Sequence, residues 1–181
     1  MAIISVSILD LDFMCLEAGL ARLKSIGVTH IHLDIVDTTF ARNISFGPGI
    51  LNRILEQDFV FDLHFMIADP LCILEQLDLG NVKHIAVHHR FAEVRSFIER
   101  GAYRGSVLVG LAVSPDMEVP DIDADFFLVM TVHPGFGGQR LLEGCLGKIA
   151  AAKRSGKQVV SFSHRYFSRS SDGLPISALR S

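Results

Sequence analysis

Apolar residues along this chain come in short runs separated by polar or helical stretches. The runs are "IISVSIL" (3–9), "HIHLDIV" (30–36), "FVFDLHFM" (59–66), "HIAVHH" (84–89), "SVLVGLAV" (106–113) and "FFLVMTV" (126–132), with a seventh, "KQVVSF", ending at Phe162. Near-continuous apolar strands of this length suit a parallel sheet covered on both faces. Between several of them the spacing changes to steps of three and four. Phe13, Leu16, Leu20 and Leu23 form such a stripe within 12–26, with Gly27 as its stop. Pro70 stands where a first helical residue belongs, followed by Leu71, Leu74 and Leu77. Phe91, Val94 and Ile98 make a third stripe, and Leu142, Leu146, Ile149 and Ala150 a fourth. Strand and helix alternating without a long linker predict βαβ units, hence an α/β fold.

Polar residues interrupt several strands at or near their C-terminal ends: Ser7, Asp34, His64, His88 and the loop after Val132. In a β/α barrel that rim is where sites are built. The expectation is therefore a (β/α)8 TIM-barrel type, with an open α/β sheet as the alternative. Residues 161–181 depart from the pattern, holding seven serines against eight in the preceding 160 residues. The expected organisation is a barrel domain over 1–160 and an atypical tail over 161–181. Six or seven strands are visible where closure needs eight, so the barrel is expected to be incomplete at its C-terminal end.

Composition narrows the class. The chain has 181 residues, 49% hydrophobic and 20% charged, with a net charge of −3, which points to neither nucleic acid nor an anionic membrane surface. No apolar run approaches a membrane span. Cys15, Cys72 and Cys145 form no close pair, so the expected setting is the cytoplasm.

The strand 30–36 raises the chemical question, because acids and imidazoles are costly inside a core unless partnered. Alternation puts His32 and Asp34 on one face and Ile31, Leu33 and Ile35 on the other. His64 alternates in the same way with Asp62 and Met66. If these strands are neighbours in a barrel, His32, Asp34 and His64 converge at the rim, and two imidazoles with a carboxylate suit Zn²⁺, Fe²⁺, Mn²⁺ or Co²⁺. Hydrogen-bonded structural roles are the competing reading. "HPGFGGQ" (133–139) frees backbone N–H groups to meet an oxyanion, with a plain tight turn as its rival.

"SIL" (7–9), "HLDIVD" (32–37), "NISFGP" (43–48), "DLHFM" (62–66) and "VMTVHPGFGGQ" (129–139) resemble, in order and spacing, the signatures of the ribulose-phosphate 3-epimerase family. The resemblance covers about residues 3–155. It implies a (β/α)8 barrel that interconverts ribulose 5-phosphate and xylulose 5-phosphate by moving the proton at C3 through a cis-enediolate. By resemblance, His32, Asp34 and His64 would bind a divalent metal ion (Zn, Fe, Mn or Co), and Asp34 would serve as one acid/base. Ser7 and His64 would touch the substrate, Met66 and Met130 would shield the intermediate, and Gly135, Phe136, Gly137 and Gly138 would approach the phosphate. Asp37 reads as structural or as a residue that supports the ligands from behind.

The departures are as informative. The family carries a V-D-G-G signature on its seventh strand, whose aspartate is the second acid/base and a fourth ligand. Here "GKQVVSF" runs into "SHRYFSRS", and Asp172 in "SDGLP" comes several residues late. Val36 replaces the usual methionine and Thr38 the usual glycine. A change of reading frame after about residue 160 would produce such a tail. Two functions are therefore expected in competition: a metal-dependent epimerase acting on a ketose phosphate, and a non-catalytic relative that binds sugar phosphate or metal. An unclosed barrel also leads us to expect a homo-oligomer.

Overall fold

Each apolar run becomes a strand. A computed structural model of the chain describes residues 4–136, 139–154 and 156–162. Seven strands form one sheet: β1 (Ser5–Ser7), β2 (His30–Val36), β3 (Val60–Met66), β4 (Val82–Val87), β5 (Leu108–Val113), β6 (Phe126–Met130) and β7 (Gln158–Phe162). They lie in chain order and every pair is parallel. Helices cross between them: α1 (Leu16–Ser25), α2 (Pro48–Leu55), α3 (Leu71–Leu74), α4 (Phe91–Arg100) and α5 (Leu146–Arg154). Over the described residues the architecture is a curled (β/α) half-barrel of seven strands, as the alternation of strands and helices predicts. Asp172 and the tail from residue 163 onward lie outside the described residues.

The strands present two faces. The outer one packs under the helices: Ile31, Leu33, Phe61, Leu63 and Ile85 share a core with Leu51, Ile54, Val94 and Ile98. Leu111, Val113, Phe127 and Val129 continue it beside Ala152 and Ile149. Each such side chain contributes about 1.5–3 kcal/mol when fully buried. The inner face is split in character. Ala86, Ala112, Phe126 and Leu128 make a small apolar cluster there. Phe126 fits because β5 has no side chain at Gly110, where a Cβ would come within 2.5 Å of the ring.

The helices depart from the expected stripes in informative ways. α2 has no counterpart in the stripes, although Pro48 at its start and Leu51, Ile54 and Leu55 on its buried face carry the signal. The 12–26 stretch opens as a 3₁₀ turn over Phe13–Cys15, and Phe13 leaves the helix face to stack on Phe46 at 4.9 Å. Gly27 does end α1. At φ +86° it donates to Lys24 O, and Val28 donates to Leu23 O, the paired bonds of a Schellman stop. α3 is a single turn. α5 starts only at Leu146, so Leu142 and Leu146 are exposed, and Cys145, Ile149 and Ala152 meet the core instead. Among the described residues no helix is long and apolar enough to cross a membrane.

Candidate active site

β2 and β3 run in straight register: His32 beside Asp62, Asp34 beside His64, Val36 beside Met66. β1 sets Ser7 beside His32. The alternation expected from the sequence therefore brings His32, Asp34 and His64 together on the inner face, all three buried. One oxygen of Asp34, Oδ1, lies 3.1 Å from His64 Nδ1 and 3.2 Å from His32 Nε2. The other, Oδ2, accepts a 2.7 Å bond from the Ser7 hydroxyl. Ser45 secures the same strand from the β2–α2 loop: its Oγ donates to Asp34 O at 2.7 Å and accepts from Val36 N at 2.9 Å.

The electrostatics favour an ionised carboxylate. Burial pushes the Asp34 carboxyl up, but the charge of His32 and hydrogen bonds from His32 and His64 outweigh it and hold the group well below its usual range. A second pair lies one layer deeper, where His84 Nδ1 meets Asp62 Oδ1 at 2.7 Å. Asp62 is also held low: burial opposes, while bonds from His84 and Ser5 and the charge of His32 prevail.

One donor atom from each of His32, Asp34 and His64 lies within 4.8 Å of the others. Ligands each about 2 Å from a zinc-type ion stand roughly 3–4 Å apart, so the separations of 3.1 and 3.2 Å to Asp34 Oδ1 fit a shared cation. The donor set is chemically right as well, since imidazole nitrogen and carboxylate oxygen suit Zn, Fe, Mn or Co.

The remaining expected residues fall around this cluster. Met66 and Met130 end the inward alternation of β3 and β6, each 1% exposed. Gly135 is buried at φ +110°, where its carbonyl accepts a 2.7 Å bond from Asn43 Nδ2. A Cβ there would lie 2.6 Å from that of Ala41, so only glycine lets the loops after β6 and β2 meet. Phe136 is half exposed, and Gln139 braces the loop by donating to His133 O and Phe136 O. Gly137 and Gly138 lie outside the described residues. Asp37 Oδ1 accepts from Thr39 N and Thr39 Oγ1 in the turn after β2.

Three residues given no site role by the motifs join the cluster. His88, just past β4, places Nε2 3.0 Å from His64 Nε2, and Ser114, just past β5, lies 3.3 Å from His88 Nδ1. Phe40 covers His88 with ring centroids 4.6 Å apart. Burial first, then the neighbouring His64 and His89, pushes His88 down to about 2, so its ring is neutral. The sequence signal for His88 is its place at the C-terminal end of a strand, and for Ser114 alternation: Ala86–His88 and Ala112–Ser114 continue the inward positions of their strands.

Fold and cluster together define a β/α-barrel protein whose C-terminal rim gathers two buried histidines and a carboxylate with the spacing to hold a metal ion. Residues 3–164 match the model of the ribulose-phosphate 3 epimerase family. The chain is 48% identical over 159 residues to a ribulose-phosphate 3-epimerase of Encephalitozoon cuniculi, covering 86% of this chain and 74% of the relative. It is 33% identical to the enzyme of that name from Treponema pallidum, covering 80% of this chain and 69% of the relative. For Schizosaccharomyces pombe the identity is 32%, covering 81% and 68%. The chain belongs to the ribulose-phosphate 3-epimerase family, whose members are epimerases acting on carbohydrate phosphates.

Proposed function

We propose that this protein epimerises a ketose phosphate at C3, interconverting ribulose 5-phosphate and xylulose 5-phosphate, with a divalent cation held by His32, Asp34 and His64. The observation that carries this is the convergence of those three buried donors on one another at the barrel rim. A bound cation would supply Lewis-acid stabilisation of the negative charge that develops on the sugar oxygens when a carbon-bound proton leaves. Asp34, ionised and oriented by the Ser7 hydroxyl, is the group we assign to move the C3 proton. Buried Met66 and Met130 line an apolar wall that excludes water from the carbanionic centre. The backbone at Gly135 and Phe136 is the proposed seat of the phosphate. Its position beside the β2–α2 loop, through the Asn43 bond, supports that assignment.

Inversion at C3 requires proton transfer on both faces of a planar intermediate, hence a second acid. β7 reads Gln158-Val159-Val160-Ser161-Phe162 and carries no carboxylate. That observation favours a second reading, a non-catalytic member that keeps the cation and sugar-phosphate sites. The three cysteines, at wide spacings, support a reducing, cytoplasmic setting. Met14 and Ile44, 92% and 71% exposed, support self-association, which light scattering tests: a lone monomer would count against it.

The deciding experiment is proton NMR of ribulose 5-phosphate in D₂O with the protein and Zn²⁺, Mn²⁺ or Fe²⁺ in turn. Epimerisation predicts deuterium at C3 together with xylulose 5-phosphate. Exchange without xylulose 5-phosphate would mean that Asp34 works alone. No exchange with any metal would favour the non-catalytic reading.

A further inference from the structure

Behind the three donors runs a second line of polar side chains. His64 turns Nδ1 toward Asp34 Oδ1 at 3.1 Å and Nε2 toward His88 Nε2 at 3.0 Å. His88 in turn sets Nδ1 3.3 Å from Ser114 Oγ. All three are buried. The chain turns sharply just past His88: Arg90 adopts a left-handed conformation, φ 55°, and its guanidinium pairs with Asp69 at 3.1 Å. A non-glycine residue in that region costs free energy that the surrounding contacts must offset, so the placement of His88 is enforced.

A neutral imidazole has one N–H and one bare nitrogen. Two ring nitrogens facing each other at 3.0 Å bond only if one carries the proton and the other does not. For two neutral rings the tautomers of His64 and His88 are therefore tied together, and two arrangements complete the chain. In the first, His64 Nδ1–H donates to Asp34, His88 Nε2–H donates to His64 Nε2, and the Ser114 hydroxyl donates to His88 Nδ1. In the second every direction reverses: His64 Nδ1 is bare, Nε2–H donates to His88 Nε2, and His88 Nδ1–H donates to Ser114 Oγ. A hydroxyl both donates and accepts, so Ser114 closes either arrangement. Only the second leaves His64 Nδ1 able to ligate a cation, because a ligand nitrogen must be bare.

We propose that His88 and Ser114 are positioning residues, a tautomer relay that reverses when a cation binds and so presents a bare Nδ1 on His64 while its far nitrogen stays paired. This rests on the cation-site reading above. Replacing His88 by an apolar residue removes this acceptor for His64 Nε2–H in the one tautomer the cation needs.

The test uses the full chain labelled with ¹⁵N at histidine. Long-range ¹H–¹⁵N spectra read the tautomers, and competition with a chromophoric chelator reads zinc affinity. Without metal we expect His64 Nδ1–H and His88 Nε2–H; with zinc we expect His64 Nε2–H and His88 Nδ1–H. His88→Leu should weaken zinc about 10–100-fold. His88→Gln, whose side-chain oxygen accepts a hydrogen bond, should recover most of that loss, and Ser114→Ala should fall between. An unchanged His88 tautomer, or wild-type affinity in the leucine variant, would overturn the relay while leaving the site standing. A wild-type chain that does not take up zinc would instead overturn the site itself. If the leucine variant does not fold, the wild-type tautomers and the glutamine variant decide the matter.

Discussion

The inner face of the sheet has two unlike halves. From β1 to β4 it is mostly polar, carrying Ser7, His32, Asp34, Asp62, His64 and His84, with His88 just beyond and Ala86 at its apolar margin. From β5 to β7 it is apolar and fitted by volume, with Gly110, Ala112, Phe126, Leu128 and Val160. Both halves use the same alternation and the same parallel pairing. They differ in how each satisfies burial. In the polar half, groups that would be costly if unpartnered are set against one another: Ser7 on Asp34, Asp34 on His64, His64 on His88, Asp62 on His84. In the apolar half one large ring fills the space left by a missing side chain. A scaffold can thus hold reactive groups on one side because the other side needs none to remain closed-packed.

That division predicts that substitutions separate chemistry from stability. The largest effect is expected from Asp34→Asn, which keeps shape and removes charge. C3 proton exchange followed by NMR should fall by about 10³-fold, and the melting temperature should shift by only a few degrees. A loss of fold instead would mean that the polar half also holds the structure together. The converse is Phe126→Ala, which should cost about 3–5 kcal/mol in denaturant unfolding while zinc affinity stays within twofold of wild type. Gly135→Ala comes next. A left-handed backbone and the Ala41 contact predict about 1–3 kcal/mol of strain, read as a raised KM for the sugar phosphate with kcat nearly unchanged.

The smallest effect concerns pH. The Asp62 carboxyl is held below its ordinary value in the fold, so its stabilising contribution is present above the unfolded carboxylate value, about 3.9. It is lost as pH falls through the lower folded value. Acid unfolding of Asp62→Asn, followed by circular dichroism, should accordingly be less steep below about pH 4 than that of the wild type. An identical acid limb would show that the pair with His84 adds nothing.

Much of this molecule was legible along the chain, and for a local reason. Strand periodicity is carried by nearest neighbours, so the apolar runs located all seven strands to within a few residues. The same alternation puts His32 and Asp34 on one face of β2, and Asp62, His64 and Met66 on one face of β3. Helices were read less well where the stripe was short or displaced. α2 escapes the stripe pattern because its buried face spans only Leu51, Ile54 and Leu55, and α5 meets the core through Ile149 and Ala152 rather than through Leu142 and Leu146. Burial there is decided by where the helix lands on the sheet.

The sequence by itself determined the order of elements, the two-faced character of each strand and the face on which each of His32, Asp34 and His64 lies, since all follow from residue type and a period of two. Only the tertiary structure decided which polar residues meet. β4 is the clearest case. Phe61 pairs with Val82, yet Asp62 pairs with His84, so one residue, Lys83, is skipped in the register. Because side chains alternate, a one-residue slip exchanges the two faces of a strand. That single irregularity turns His84, Ala86 and His88 inward, giving Asp62 and His64 their partners. No pattern within β4 specifies it, because a register belongs to two strands at once.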